Sequence, residues 1–211
     1  MRHARVASTI ALLAFLCTCL VGKDPQIKEA FTEDFNSGRL DPQTWRITQN
    51  VYEIREGALF VDGAKNHPMW LQKRIPCDVK IEFTAWSDSA DGDIKVEVFG
   101  DGRSSADTEG SYTGTGYIVI FGGWQNTVNT IARKDEHEAR MKIEEETKVE
   151  KGRKYHFSLQ FRGNRIEWFL DGRLFLQVDD PDRLCGPGND HFGFNDWGTP
   201  VHFDDLSIIP L

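Results

Sequence analysis

The densest group of chemically versatile side chains lies between Trp124 and His137. A pyranose ring stacks its apolar face on an aromatic side chain, and its hydroxyls bond to planar amide, carboxylate and guanidinium groups. This segment supplies all of these groups, in Trp124, Gln125, Asn126, Asn129, Arg133, Asp135, Glu136 and His137. It is therefore a candidate sugar-binding segment. The plainer interpretation is a core or rim tryptophan with polar groups that satisfy the loop backbone.

A second group of this kind, His191, Asn195, Asp196 and Trp197, lies between two late predicted strands. Glu97, on an earlier strand, could reach the same concave face. The two groups together give the predicted ligand-binding residues: Glu97, Trp124, Asn126, Arg133, Asp135, His137, His191, Asn195 and Trp197.

Catalysis would require a titratable acid or base in a pocket. Glu97 and His137 are the nominal candidates, and adjacency in sequence also pairs His191 with Asp190. Adjacency does not orient a dyad, and the chain has no serine nucleophile elbow, Walker loop or dinucleotide-binding fingerprint. The residues alone therefore leave open whether the protein is an enzyme, and no catalytic cofactor is expected.

Composition and charge exclude some partners. The chain has 211 residues and a net charge of −8, whereas nucleic-acid binding requires a basic patch. The same charge disfavours adhesion to an anionic membrane surface. The length and the 39% hydrophobic content fit one large domain or two small ones.

The N-terminus has the features of an export signal. Arg2, His3 and Arg5 precede a short apolar core, and residues 1–22 are interpreted as a signal peptide. Cys19 could be the lipidated residue of a bacterial lipoprotein signal, or cleavage could fall near Gly22. In both cases the protein is expected to be exported, either secreted, periplasmic or lipid-anchored at the cell envelope. A lipid on Cys19 would be its membrane attachment.

Two cysteines, Cys77 and Cys185, remain after cleavage. Export permits a disulfide between them, but two buried free thiols are an equal alternative. The chain contains no Cys/His group with zinc-binding spacing.

The elements that must position these side chains are short strands. In the segment 154–178, apolar and polar residues alternate over three runs, and Asp171-Gly172 is typical of a two-residue hairpin turn. This pattern predicts an antiparallel meander. Similar runs recur from Phe31 onward, and the charged segment 135–151 is interpreted as a solvated strand and loop. The chain is therefore predicted to be one all-β domain, an antiparallel sandwich or barrel, over residues 27–211.

Three motifs resemble the concanavalin A-like lectin/glucanase superfamily. They are the opening EDFNSGRLDPQTW, the hairpin YHFSLQFRGNRIEWFLDGRLF and the closing VHFDDLSIIPL. The resemblance implies a two-sheet jelly roll in which the closing strand returns beside the first. The chain resembles the secreted 3-keto-disaccharide hydrolase-like and uncharacterised jelly-roll families of bacteria more closely than the true glucanases of glycoside hydrolase family 16.

The resemblance also allows a test for glucanase chemistry. Family 16 enzymes carry E-x-D-x-x-E on one central strand, and retaining chemistry requires two carboxyls about 5–5.5 Å apart. The corresponding segment, Tyr117–Gly122, has no carboxylate. Asp93 and Glu97 on the neighbouring strand share a face but are expected to lie about 13 Å apart. Glucanase activity of this type is therefore not expected.

A structural calcium ion is a further implication of the resemblance. In similar jelly rolls the ion joins the first strand region to the last, and oxygen ligands suit it. The matching positions are Glu33 or Asp34, Gly57, and Asp204 or Asp205. The alternative is that these are acidic turn residues without a metal.

The leading hypothesis is an exported domain that binds an oligo- or polysaccharide on its concave sheet without catalysis. A glycoside- or polysaccharide-processing enzyme of the 3-keto-glycoside hydrolase or lyase type is the first alternative. A structural surface module is the second. The sugar, its linkage and the oligomeric state are left open.

Overall fold

Alternating apolar and polar residues produce strands with one buried face, and these strands form two antiparallel sheets packed face to face. A computed structural model describes residues 24–106 and 113–211. The predicted signal peptide, including Cys19, lies outside the described residues. The all-β sandwich predicted from the sequence is confirmed.

The described residues form fifteen strands and one short helical turn, α1 (Gly123–Asn126). The strands are β1 (Phe31–Glu33), β2 (Trp45–Ile47), β3 (Tyr52–Arg55), β4 (Ala58–Val61), β5 (Met69–Leu71), β6 (Val79–Ser87), β7 (Ile94–Gly100), β8 (Tyr117–Gly122), β9 (Val128–Arg133), β10 (Arg140–Glu144), β11 (Tyr155–Arg162), β12 (Arg165–Leu170), β13 (Arg173–Asp179), β14 (His191–Asn195) and β15 (Val201–Pro210). Among these residues no helix is long and apolar enough to cross a membrane.

One sheet has the strand order β13-β12-β11-β6-β15-β4-β3, and β1 also pairs with β15. The closing strand therefore returns beside the first, as predicted. The other sheet has seven strands in the order β10-β9-β8-β7-β14-β5-β2. The predicted meander is β11-β12-β13, and Asp171 and Gly172 both have positive φ, 49° and 76°. Strand β10 confirms the interpretation of the charged segment 135–151.

The core between the sheets is rich in aromatic side chains. Phe83 of the first sheet stacks on Phe157 with ring centroids 4.8 Å apart, and Phe194 of the second sheet meets Phe83 edge to face at 6.0 Å. All three are buried. Truncation of such a phenylalanine to alanine typically costs about 3–5 kcal/mol, so this layer fixes the two sheets against each other.

Strand β7 separates the core from the opposite face of its sheet. Ile94, Val96 and Val98 join the core between the sheets. Because side chains alternate along a strand, Lys95 and Glu97 point to the outer face of the seven-stranded sheet. Both are nevertheless buried, because loops cover parts of this face.

Cys77 and Cys185 form a disulfide, with Cα atoms 5.4 Å apart and 108 residues apart in sequence. The bond joins the segment that leads into β6 to the loop before β14. Of the two alternatives, a disulfide or two buried free thiols, the structure has the disulfide.

The double substitution Cys77→Ala and Cys185→Ala should lower the free energy of unfolding by about 4–5 kcal/mol, because the unfolded chain regains the entropy of a long loop. Urea denaturation of both proteins measures the difference. Dithiothreitol should lower the midpoint of the wild-type protein and leave the double variant unchanged. A wild-type midpoint that does not respond to the reductant would contradict the prediction.

Candidate functional site

A cleft of about 500 Å³ opens on the outer face of the seven-stranded sheet. It lies between α1, the β9–β10 loop and the β14–β15 loop. We call its buried polar lining residues the floor: Asn66, Asp93, Lys95 and Glu136. We call five of its more exposed lining residues the rim: Asp91, Trp124, Gln125, His137 and Trp197.

The floor is organised around Lys95, whose exposed fraction is 2%. Its Nζ lies 2.9 Å from Glu136 Oε2 and donates a hydrogen bond to Asn66 Oδ1 at 3.0 Å. Asn66 Nδ2 in turn donates to Glu136 Oε1 at 3.4 Å. An isolated buried ammonium would carry a large desolvation cost, so this network is what permits Lys95 at the floor.

The charges of the floor shift its pKa values. Burial alone would lower the pKa of Lys95, but the Asp93 and Glu136 carboxylates outweigh it and raise that pKa. Burial raises the pKa of Asp93, and Lys95 partly opposes this. Lys95 therefore stays an ammonium, whereas Asp93 holds its proton more firmly than an ordinary aspartate.

Trp124 is presented by a left-handed turn. After β8, the φ angles of Trp124, Gln125 and Asn126 are 50°, 58° and 59°. Each non-glycine residue in this conformation costs about 1–2 kcal/mol, and such strain persists only where surrounding contacts impose it. Asn126 supplies these contacts: its Nδ2 donates to Ala90 O and Val149 O, and its Oδ1 accepts from Val149 N, each at 2.8 Å.

The Trp124 indole is also fixed from its sides. It packs against a small apolar cluster of Ile118, Ile120 and Ala132, which is separate from the main core. The Arg140 guanidinium lies 4.1 Å from the centre of the indole, a cation–π contact. The His137 ring meets it edge-on at 5.6 Å. The indole is therefore already oriented before any ligand arrives.

The loop that carries Trp197 is held by two buried carboxylates. Asp93 accepts a hydrogen bond from the Trp197 backbone N–H. Asp196 accepts from the N–H groups of Ala64 at 2.6 Å, Thr199 at 3.1 Å and Gly63 at 3.2 Å. Burial, followed by the charge of Asp93, raises the pKa of Asp196 to about 7.

The structure brings three of the predicted ligand-binding residues into the cleft: Trp124, His137 and Trp197. Asn126 instead braces the turn, as described above. Arg133 pairs with Asp180 at 3.1 Å. The carboxylate of Asp135 accepts the N–H groups of two following residues and so closes its own loop.

The remaining predicted residues lie under the loops and do not line the cleft. Asn195 donates to Glu97 Oε1 at 2.9 Å, and both are fully buried. His191 contacts Asp24 at 3.1 Å and Asp190 at 2.9 Å. Glu97, the first catalytic candidate, is thus separated from the rim tryptophans, while His137 is on the rim.

Lys95 and Asn66 are cleft residues that sequence reasoning missed. For Lys95 a signal existed, because Asp93, Lys95 and Glu97 alternate with three core residues and form a charged face on a central strand. Asn66 gives no such signal. It lies in the β4–β5 loop, 29 residues before Lys95, and the two meet only in the folded chain.

Comparison with known proteins adds a family match and structural neighbours. A family described as "Farnesoic acid 0-methyl transferase" matches residues 103–204. No curated protein matches the sequence.

Solved structures match the fold over most of the chain. The carbohydrate binding module CBM66 from Bacillus subtilis has a TM-score of 0.62 at 14% identity, covering 79% of this chain and 95% of that one. A β-1,3-1,4-glucanase (lichenase) from a mouse hindgut metagenome has a TM-score of 0.62 at 12% identity, covering 87% and 100%. A Bacillus subtilis protein of unknown function with a galectin-like fold has a TM-score of 0.63 at 11% identity, covering 85% and 94%.

The fold is a two-sheet jelly roll like those of these neighbours. At these identities the likeness concerns the fold alone. The site of this chain must therefore be argued from its own side chains.

The calcium site that the sequence resemblance implies lies away from the cleft, where β1 pairs with β15. A Cβ added to Gly57 would lie 2.9 Å from Asn36 Oδ1, so the β3–β4 turn approaches the turn that follows β1. Burial raises the pKa of Asp204, and the charges of Asp205 and Asp34 add to this. Such a carboxylate group fits a hard cation. Within the described ranges, however, no three His, Cys, Asp or Glu side chains are arranged to hold a metal ion, and the calcium site stays a prediction.

Substitution Asn126→Ala should lower the free energy of unfolding by about 2–3 kcal/mol, because it leaves three backbone groups without their partner. Amide exchange at Val149 should accelerate, since its N–H bonds to Asn126. The exposed Asn50→Ala is the matched control and should change stability by less than about 0.5 kcal/mol. Equal denaturation midpoints for the two variants would show that Asn126 does not brace the turn.

Asp196 should make stability depend on pH. Its pKa is about 7 in the folded chain and ordinarily 3.8, so its stabilising contribution is complete below pH 3.8 and is lost as the pH rises through 7. The free energy of unfolding should therefore fall across this window, and Asp196→Asn should remove that part of the slope. Urea denaturation from pH 4 to 8 measures both proteins. Asparagine also disturbs the backbone hydrogen bonds of Asp196, so the two free energies of unfolding will differ at every pH. The test is whether the difference between them changes with pH. A constant difference would contradict the assignment.

Proposed function

We propose that this protein is an exported carbohydrate-binding domain and that the cleft is its binding site. The observation that carries the proposal is the combination of two half-buried tryptophans on the rim, Trp124 and Trp197, with a buried polar floor. A sugar has the same two-sided character, with an apolar ring face and polar hydroxyl edges. The cleft would bind both at once.

The rigidity of the cleft supports this function. The left-handed turn orients Trp124, and Asp93 anchors the backbone of Trp197. Preorganised aromatic surfaces reduce the entropic cost of binding. Sugars offer few strong contacts, so a binding site for them gains from walls that are already in place.

The structural neighbours agree with a carbohydrate-related role, since one is titled a carbohydrate binding module and another a glucanase. Export is supported by the N-terminal sequence features alone. Export and carbohydrate binding are compatible, because exported domains encounter polysaccharides at the cell surface.

The family match suggests a second ligand class, an isoprenoid acid such as farnesoic acid. The floor disfavours it. A long apolar chain in the cleft would have to cover Asp93, Lys95 and Glu136, and burial of charges against apolar atoms is costly. Farnesoic acid is therefore a useful comparison ligand.

Catalysis is the alternative that one observation favours. Asp93 lines the cleft, and its raised pKa is the property of a general acid. Its carboxylate also holds Trp197, and this anchoring role explains its burial without catalysis. Release of reducing ends from a bound glycan, abolished by Asp93→Asn, would establish the enzyme.

A broad glycan array followed by calorimetry tests the binding proposal. Trp124→Ala and Trp197→Ala should each weaken the affinity for the best glycan by at least about tenfold, or about 1.4 kcal/mol, because each removes a stacking surface. Trp86→Ala is the matched control. Trp86 stacks on His202 at 4.6 Å on the other sheet, so its loss should leave affinity unchanged.

Three results would contradict carbohydrate binding in this cleft. They are an array without any bound glycan, an affinity that responds to Trp86→Ala instead of the rim variants, and tighter binding of farnesoic acid than of any sugar. If the rim variants change only the denaturation midpoint, the domain is a structural module.

A further inference from the structure

The lining of the cleft carries more carboxylates than ammonium groups. Asp91 on the rim and Asp93 and Glu136 on the floor face a single ammonium, that of Lys95. Even with Asp93 protonated, the lining keeps two carboxylates against one ammonium, and Arg140 adds a cation beside Trp124, outside the lining. The effective dielectric constant in a partly closed cleft is below that of water, so the carboxylates of the lining act strongly on a charged ligand that contacts them.

Glu136 retains unused capacity to accept hydrogen bonds. The residue is 7% exposed, and Lys95 Nζ, 2.9 Å from its Oε2, is the one charged partner of that oxygen among the described residues, which leaves its second lone pair free. The bond from Asn66 to its Oε1, at 3.4 Å, is long. Buried carboxylate oxygens are normally well supplied with donors. A ligand donor in the cleft would complete this set.

The rim favours a cation for an independent reason. The face of an indole attracts positive charge, and Arg140 already uses Trp124 in this way at 4.1 Å. Trp197 lies on the same rim. A ligand that combines a sugar ring with an ammonium group would use the tryptophans and the carboxylates together.

We propose that the cleft selects glycans containing amino sugars with a free amino group and discriminates against glycans containing uronates. This inference rests on the proposed carbohydrate-binding function and names its ligand class. Glu136 and Asp91 would bind the ammonium while the rim tryptophans contact the sugar ring. A uronate would bring a further carboxylate against those of the lining, and an N-acetyl group would remove the charge that they attract.

Calorimetry with four β-1,4-linked tetrasaccharides of gluco configuration tests the selectivity. Their units are glucosamine, N-acetylglucosamine, glucose and glucuronate, so only one substituent changes at a time. The glucosamine tetramer should bind about tenfold more tightly than the glucose tetramer, and the glucuronate tetramer should bind most weakly. The glycan array compares the same four sugars in linkages other than β-1,4.

Glu136→Gln keeps the size of the side chain and removes its charge. It should weaken binding of the glucosamine tetramer about tenfold and change that of the glucose tetramer much less. Glu138→Gln, an exposed neighbour outside the cleft, is the matched control. Glu136 supports Lys95, so Glu136→Gln could prevent folding. In that case Asp91→Asn, on the exposed rim, replaces it as the test variant and should weaken binding of the glucosamine tetramer by a smaller factor.

The outcomes separate the two proposals. If the glucuronate tetramer binds as tightly as the glucosamine tetramer, the selectivity is wrong and carbohydrate binding stands. If spermidine binds as tightly as the glucosamine tetramer, the cleft recognises amines without a sugar. If no glycan of any linkage binds, both proposals fail.

Discussion

The buried ammonium of Lys95 is the constraint on which the cleft depends. An ammonium with 2% exposure is tolerated only with close opposite charge and hydrogen bonding. Its partners come from two loops, Glu136 from the β9–β10 loop and Asn66 from the β4–β5 loop. One strand residue therefore draws two distant loops over the outer face of the sheet. Without that charge these loops would lose their common attachment, and the cleft would lose its floor.

Strain and anchoring complete the same arrangement at the rim. Three consecutive left-handed residues are unfavourable by themselves, yet the turn persists because Asn126 ties it to two neighbouring segments. The opposite wall is tied through Asp93 and Asp196. The sandwich core supplies rigidity, and these buried polar contacts convert it into two fixed aromatic walls. A scaffold shared with many proteins thereby acquires a site of its own.

Much of the scaffold could be predicted from the sequence, because the period-2 pattern of strands such as β6 and β11 is a local property. The Asp171-Gly172 turn is likewise encoded by adjacent residues. The site was predictable only where its side chains are conspicuous by type, as for Trp124, His137 and Trp197. Arg133 and His191 have the same chemical types but are used in ion pairs elsewhere. The Lys95–Asn66 contact depends on loop packing, which no local pattern encodes.

Carbohydrate entry into the cleft between Trp124 and Trp197 can be observed directly at the tryptophans. The chain has six tryptophans, so ¹⁹F NMR of 5-fluorotryptophan-labelled protein can observe each environment, with assignments from single Trp→Phe variants. The account predicts that titration with the glycan bound most tightly on the array shifts the Trp124 and Trp197 resonances and leaves those of Trp86 and the core Trp168 in place. A shift confined to Trp86, or saturable binding that moves neither rim tryptophan, would contradict it.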